Sequence, residues 1–162
     1  MSLVETAIDQ DQTEVAEIRI DPITNHRSLF SKKSFRGNEV IIKFLAKNVL
    51  ATPTYLTIQI SELVHIELFP ECLGCTNHSC EPNCFFDTTR MEFISLRAIE
   101  GGEELTFFYP SAEWDMDQAF QCNCGSAQCL GLIKGARYLS NDRLKQYRFT
   151  DFIHQKLQSV KF

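Results

Sequence analysis

No apolar run in the sequence is long enough to cross a membrane, so no helical membrane span is expected. Internal repeats and low-complexity tracts are also missing, which argues against a repeat array or a long linker. Lysine and arginine form no cluster, and the formal net charge is −5. Binding to a nucleic-acid backbone needs a basic face, so direct nucleic-acid binding is not expected. Met1-Ser2-Leu3-Val4-Glu5 carries neither a basic stretch nor a long apolar one, so no secretory leader is expected there. Without such signals the expected location is the cytoplasm or the nucleus. Phenylalanine and cysteine, by contrast, are plentiful. Thirteen phenylalanines among 162 residues suggest an aromatic-rich core or a lined cleft in one domain. Seven cysteines, an odd number, fit reduced thiols or thiolates on a metal better than a disulfide framework.

Residues 1–13, with Glu5, Asp9 and Asp11, read as a flexible acidic lead-in. From residue 14 to 118 short strands follow one another at 15–20, 26–31, 39–44, 55–60, 64–68, 91–98 and 104–109. Asp21-Pro22, Arg36-Gly37-Asn38, Pro70 and Gly101-Gly102 punctuate them. In 55–60, Leu56, Ile58 and Ile60 share one face, and Thr57 and Gln59 the other. The 91–98 strand alternates in the same way and is expected to be half-buried. The fold class is therefore mainly β with short helices. The helices come last. Ser140-Asn141-Asp142 is a helix-start signal, and Leu144, Tyr147, Phe152, Ile153, Leu157 and Val160 predict two short helices broken near Phe149-Thr150. This tail, 139–162, is expected to cover a sheet face, or else to close over a site.

Three stretches carry chemistry. Asn77-His78-Ser79-Cys80-Glu81-Pro82-Asn83-Cys84 reads as a tight loop, because Pro82 and small polar residues disfavour helix and strand. Farther on lies Cys122-Asn123-Cys124-Gly125-Ser126-Ala127-Gln128-Cys129, and between the two runs Gly102-Glu103-Glu104-Leu105-Thr106-Phe107-Phe108-Tyr109. Structural zinc takes four ligands in a tetrahedron, with thiolates about 2.3 Å away. Cys122, Cys124 and Cys129 supply three from one loop, and Cys80 is the chosen fourth. Such a site pins the late loop against the central one, and needs deprotonated thiols. Cys72 and Cys75, a C-x-x-C, also admit a second site with Cys84 or a redox pair; plain thiols are the preferred reading. Taken alone, Phe107-Phe108-Tyr109 reads as a strand buried on both faces; with the neighbouring motifs it reads as the wall of a site.

In this order, N-H-S-C-x-P-N-C, G-x-E-L-T-x-x-Y and C-x-C-x4-C, the chain resembles the SET-domain protein lysine methyltransferases with a post-SET zinc loop. The likeness runs loosely from Arg19 to Tyr138. It implies the SET fold, a β-clip of small curled sheets with a pseudoknot, in 14–118 and a post-SET zinc loop in 119–138. It also implies two cofactors, S-adenosylmethionine and Zn2+. Cys80, Cys122, Cys124 and Cys129 would then be the metal ligands. Asn77, His78, Arg27, Ser28, Leu29, Leu130 and Ile133 would contact the methyl donor, and Tyr109 would be catalytic. Phe107 would sit where the family tunes methyl number, and Phe107 and Phe108 would line the substrate channel. The implied partner is a protein or peptide lysine, with a small-molecule substrate as an alternative. Methyl transfer from a sulfonium to an amine is an in-line displacement. The amine must first be neutral, although a free lysine has a pKa of about 10.4. Burial beside a positive sulfonium lowers it, and positioning supplies most of the rate. The sequence departs from the family pattern in places. His26-Arg27-Ser28 stands where the family has G-x-G, Gly74-Cys75 where Arg-Phe is common, and Phe108 where a polar residue is common. The stretch 60–77, where the family builds part of its peptide groove, is short. These departures motivate the small-molecule alternative and a non-catalytic binding module.

Overall fold

In the computed structural model, residues 14–160 are described; the acidic lead-in assigned to 1–13 lies outside the described residues. Apolar runs here are cut every few residues by turn signals, and no strand of the described chain exceeds six residues. β1 (Ala16–Ile20) and β2 (Arg27–Ser31) form an antiparallel hairpin. Its turn closes because the Asp21 carboxylate accepts from the N–H groups of Ile23 and Thr24. β4 (Leu45–Leu50), β6 (Val64–Phe69) and β5 (Thr57–Ser61) form a second antiparallel sheet, with β6 in the middle. A larger sheet has the order β3 (Val40–Lys43), β9 (Glu92–Ser95), β8 (Cys84–Asp87), β10 (Thr106–Phe107), β7 (Asn77–His78).

That order contains the pseudoknot. β10 comes late in the chain yet lies parallel between β7 and β8, with Thr106 opposite Asn77 and Phe107 opposite both His78 and Cys84. The loop 79–83 that joins β7 to β8 must therefore pass over β10. Asn83 fastens the crossing. Its Nδ2 donates to the Glu104 carbonyl at 2.8 Å, its Oδ1 accepts from the Thr106 N–H at 2.9 Å, and the residue is buried with both ends satisfied. The Ser79 N–H adds a bond to the Phe107 carbonyl at 3.0 Å.

Leu29, Phe44, Phe86, Phe93, Ile99 and Leu105 fill the main core. Phe86 meets Phe44 and Phe107 edge-on, at 5.5 and 4.8 Å between centroids, so part of the phenylalanine excess is core packing. β9 is shorter than the predicted 91–98 strand and is not half-buried. It lies between β3 and β8, and Phe93, Ile94 and Ser95 are all buried. The alternation predicted in 55–60 does not show in the burial: Leu56 is exposed and outside β5, and Thr57, Ile58 and Gln59 are buried in succession. Thr57 and Gln59 are buried because the later chain packs there, and Gln59 Oε1 accepts from the Trp114 N–H at 3.0 Å. The predicted 104–109 strand shrinks to β10. A 3-10 turn, Tyr109–Ser111, follows, since Pro110 has no N–H for a ladder. β4 and β8 were not expected, and Asn77-His78, expected in a loop, forms β7.

The tail holds α1 (Asn141–Leu144) and α2 (Asp151–Ser159); the break expected near Phe149-Thr150 begins earlier, after Leu144, and leaves Tyr147 outside both helices. Ser140 and Thr150 cap them, each hydroxyl accepting an N–H at 3.4 Å. Ile153 is fully buried, so α2 packs on the body. The segment before it straps the central loop: Tyr147 stacks on Phe108 with centroids 3.7 Å apart, and its hydroxyl donates to the Cys80 carbonyl at 2.8 Å.

Candidate active site and metal centre

Cys80 lies in the crossing loop. Cys122, Cys124 and Cys129 lie between β11 (Phe120–Gln121) and β12 (Leu132–Ile133), whose antiparallel pairing closes their loop. The Cys122 N–H donates to the Gly131 carbonyl at 2.7 Å. All four sulfurs lie within 4.8 Å of one another, and those of Cys80 and Cys122 are 3.9 Å apart. A tetrahedron with zinc–sulfur bonds of about 2.3 Å has edges of about 3.8 Å. The group can hold a metal ion, and its all-thiol donor set suits zinc. Backbone N–H groups point at the sulfurs: Leu130 donates to Cys80 and Cys124 to Cys122, at 3.3 and 3.4 Å. Burial pushes the Cys80 thiol up to about 11 and that of Cys122 up to about 12. At Cys124 burial acts in the same direction, but backbone bonds involving Cys80 and Ser126 and the neighbouring Cys122 and Cys129 bring it down to about 7. A bound cation deprotonates all such thiols. Cys72, Cys75 and Cys84 do not join the cluster; Cys72 and Cys84 are buried in the main core.

His78 links this centre to Tyr109. Its Nδ1 accepts the Tyr109 N–H at 3.1 Å, so the ring proton sits on Nε2, which faces Cys80 Sγ at 3.3 Å. Burial lowers its pKa to about 4, which keeps the ring neutral. The Tyr109 hydroxyl donates to the Thr76 carbonyl at 3.1 Å. Burial, with the negative charge of Glu104 adding to it, pushes the phenol up to about 12. At neutral pH it is therefore an intact hydroxyl. Tyr109 packs against both the main core and the sulfur cluster.

Asn77 sits beside the 26–28 segment. Its Nδ2 faces the Arg27 carbonyl, Ser28 Oγ and Glu104 Oε1 at 3.2, 2.8 and 2.9 Å, and its Oδ1 faces His26 Nε2 at 3.1 Å. The side chains at 26 and 28 thus hold Asn77, a contact glycine cannot make. Arg27 is exposed, Leu130 is half-buried, and Ile133 is buried against Cys80 and Cys122. Leu29 differs from its expected role. Its side chain is fully buried in the main core and its carbonyl accepts the Leu105 N–H, so it presents no side chain to a ligand.

A cavity of about 180 Å³ opens beside Tyr109. Leu56, Ile58, Leu68, Phe107 and Phe120 give it apolar walls, and Glu113 and Asp117 are its acidic members. Phe107, expected in a substrate channel, lines this cavity. Phe108, the next residue, is not among the residues lining it and stacks on Tyr147. Sequence reasoning missed Thr76, Glu113, Phe120 and Tyr147. A lone glutamate or tyrosine outside a motif carries no signal until the chain folds around it.

Comparison with known sequences identifies the family. The family model described as SET domain matches residues 26–110. The chain is 46% identical over 96 residues to the methyltransferase flvH of Aspergillus flavus, covering 58% of this chain and 53% of that protein. It is 42% identical over 65 residues to the histone-lysine N-methyltransferase ash1 of Drosophila melanogaster, covering 36% of this chain and 3% of that protein. With the histone-lysine N-methyltransferase SETD2 of Homo sapiens it shares 30% identity over 105 residues, covering 61% of this chain and 4% of that protein. The chain thus spans about half the length of the first relative and a few per cent of the other two. The family match covers more than half of the chain, from the segment beside Asn77, through the crossing loop and the strand it encloses, to Tyr109 itself. With its threaded β10 and its matched motifs, this chain belongs to the SET-domain family.

Proposed function

We propose that this protein transfers a methyl group from S-adenosylmethionine to an amine, in the first instance the side-chain nitrogen of a lysine in a protein. One observation carries the reading. Tyr109 lines an apolar cavity while its backbone N–H is fixed by His78, next to the polar group Asn77, Ser28 and Glu104. That donor set, an amide and a hydroxyl beside a carboxylate, fits a zwitterionic ligand that carries a positive sulfur. Asn77, His78, Arg27 and Ser28 would hold the methyl donor, with Leu130 and Ile133 as apolar flanks and Leu29 contributing backbone at most. When bound, S-adenosylmethionine supplies an electrophilic methyl group. The chain's own residues do the rest. The apolar walls exclude water and lower the pKa of an incoming amine. The Tyr109 hydroxyl, held by Thr76, orients the amine nitrogen without a change in its own protonation. Phe107 limits the room for successive methyl groups.

In this reading 14–118 is the catalytic unit, 119–138 a zinc loop that fixes one wall of the site, and 139–162 a strap. The protein acts in the cytoplasm or the nucleus. The names of the Drosophila and human relatives favour a protein lysine as acceptor. A small amine is the second reading, because β6 and a 3-10 turn, Glu71–Cys75, take up most of the chain between β5 and β7 and leave little for a peptide groove. The test is native mass spectrometry with and without S-adenosylmethionine, followed by transfer assays on histone peptides and on free alkylamines. Bound cofactor and a labelled lysine support the proposal, and transfer to amines alone selects the second reading. A protein that binds no cofactor and labels neither acceptor is a binding module instead.

A further inference from the structure

Glu113 is a buried carboxylate that no motif announces. Its residue is 8% exposed, and it lies in the wall of the cavity that Tyr109 and Phe107 also line. Its backbone is fixed from the far side. Gly135, at φ 129°, lets the turn 135–138 pass so close that a Cβ there would stand 2.5 Å from the Trp114 carbonyl oxygen. The Ala136 N–H then donates to the Glu113 carbonyl at 2.9 Å. One carboxylate oxygen, Oε1, accepts from the Gln59 N–H at 3.1 Å. No lysine, arginine or histidine lines this cavity among the described residues. Ionising a buried carboxyl without a cationic partner is costly, and a carboxyl so perturbed in a cavity wall marks a candidate functional group.

The groups around it confirm the imbalance. From β5 the uncharged Gln59 bonds it and Thr57 shares the cavity wall; His65 of β6 and Lys156 of α2 lie with Gln59 on a separate hollow, where Lys156 pairs with Glu62 at 2.8 Å. Tyr55, Tyr109 and Asp117 are the other ionisable groups of the cavity wall, and none of them is basic. Arg137 and Tyr138 of the neighbouring turn are both engaged with Asp115, at 2.7 and 3.0 Å. Burial pushes the Glu113 carboxyl up to about 8, against the smaller opposing effect of the Gln59 bond.

We propose that Glu113 is the substrate-binding group that receives an alkylammonium in this cavity and takes its proton. The inference rests on the reading of the cavity as an amine channel. Aliphatic and aromatic walls suit the methylene chain, and the carboxylate suits its charged end. A carboxylate that only paired with the ammonium would hold the proton on nitrogen and oppose methyl transfer. In a buried site the neutral pair, acid and amine, is favoured over the ion pair. One N–H bond breaks and one O–H bond forms, the nitrogen keeps the electron pair, and no other reactant is needed.

The test uses n-pentylamine as the charged probe and pentan-1-ol as its neutral counterpart. Each is titrated calorimetrically into the zinc-loaded full chain near pH 9, where Glu113 is ionised and an alkylamine is still protonated below about 10.4. Pentylamine should bind wild type, and Glu113→Gln should weaken it by about tenfold or more, the scale of a charged hydrogen bond, while pentanol is unchanged. Equal pentylamine affinity in both proteins, no pentylamine binding to wild type, or pentanol binding as tightly as pentylamine overturns the inference. Glu113→Gln keeps an acceptor for the Gln59 N–H, so it should fold. The sign of its stability effect is a check. A carboxyl whose pKa is raised on folding stabilises below its ordinary value and loses that contribution as pH rises through about 8. The glutamine should therefore melt no lower than wild type at pH values above about 8.

Methyl transfer then separates the two readings. In wild type kcat/KM should rise through about 8 as Glu113 ionises; in Glu113→Gln the rise should move toward the value of about 10.4 for a free alkylamine. Unchanged transfer and an unchanged pH profile in the variant refute the role of Glu113 and leave the proposed function standing. Glu113-dependent amine binding in a protein that transfers no methyl group does the reverse.

Discussion

Two apolar clusters meet at Tyr109, and they are held together by different means. The main core around Leu29, Phe86 and Phe93 draws on strands from most of the chain and needs nothing but burial. The second cluster has Cys80, Cys122 and Ile133 as its buried members, with half-buried neighbours such as Phe120 and Leu130. So little apolar area cannot hold a long loop by itself, whereas four thiolates on one ion can. The core therefore fixes one side of Tyr109 by packing, and the sulfur cluster can fix the other by holding an ion. The site stands at the junction, where loss of either support disturbs it.

The largest way to break this comparison is to deny the sulfur cluster its ion. Structural zinc carries roughly 10–16 kcal/mol of binding free energy in small domains at neutral pH. Chelation, or Cys122→Ser, should abolish activity and free residues 120–133 to exchange amide hydrogens, while amides of β8 and β9 stay protected. Hydrogen exchange followed by mass spectrometry reads both regions at once, and loss of protection in β8 and β9 as well would mean that the two clusters are one. The complementary change is Phe93→Ala. A fully buried phenylalanine lost from a core costs about 3–5 kcal/mol, so the melting temperature should fall steeply while the folded fraction keeps a full complement of zinc.

Tyr109→Phe sharpens the comparison at the junction. It keeps the ring packed against both clusters and removes only the hydroxyl, so stability and zinc content should hardly move. Methyl transfer should drop by about a hundredfold, the scale seen when one positioned donor is removed. Because the phenol ionises only near about 12, wild-type rates should show no Tyr109 limb across the neutral range. The smallest effect concerns the strap. Tyr147→Phe loses the bond to the Cys80 carbonyl and keeps the stack on Phe108, for about 1 kcal/mol in a thermal melt.

Legibility in the sequence follows the same division. Cys80, Cys122, Cys124 and Cys129 were readable because metal ligation restricts residue type and spacing so tightly. Most of the strands were readable because β-branched runs end at Gly, Pro and Asn. β4 was not, since Leu45–Leu50 lies mostly exposed at a sheet edge and shows no clean alternation. The burial of Gln59 was not readable because its cover, Trp114, lies far along the chain. Phe107 and Phe108 look alike in sequence, and only β10's place between β7 and β8 sends one into the cavity and the other onto Tyr147.

By itself the sequence determined the ingredients: short strands, a cluster of thiols, a tyrosine after a Leu-Thr motif, and a capped helical tail. These depend on bond geometry and local preference, which act over a few residues. Only the tertiary structure decided that a late strand threads under an earlier loop. That threading brings Asn77 to Ser28 and His78 to the backbone of Tyr109. Glu113 shares the cavity wall with Tyr109 because Gln59 and the Gly135 turn pack around it. Such meetings depend on which surfaces are buried together, and burial is a property of the whole chain.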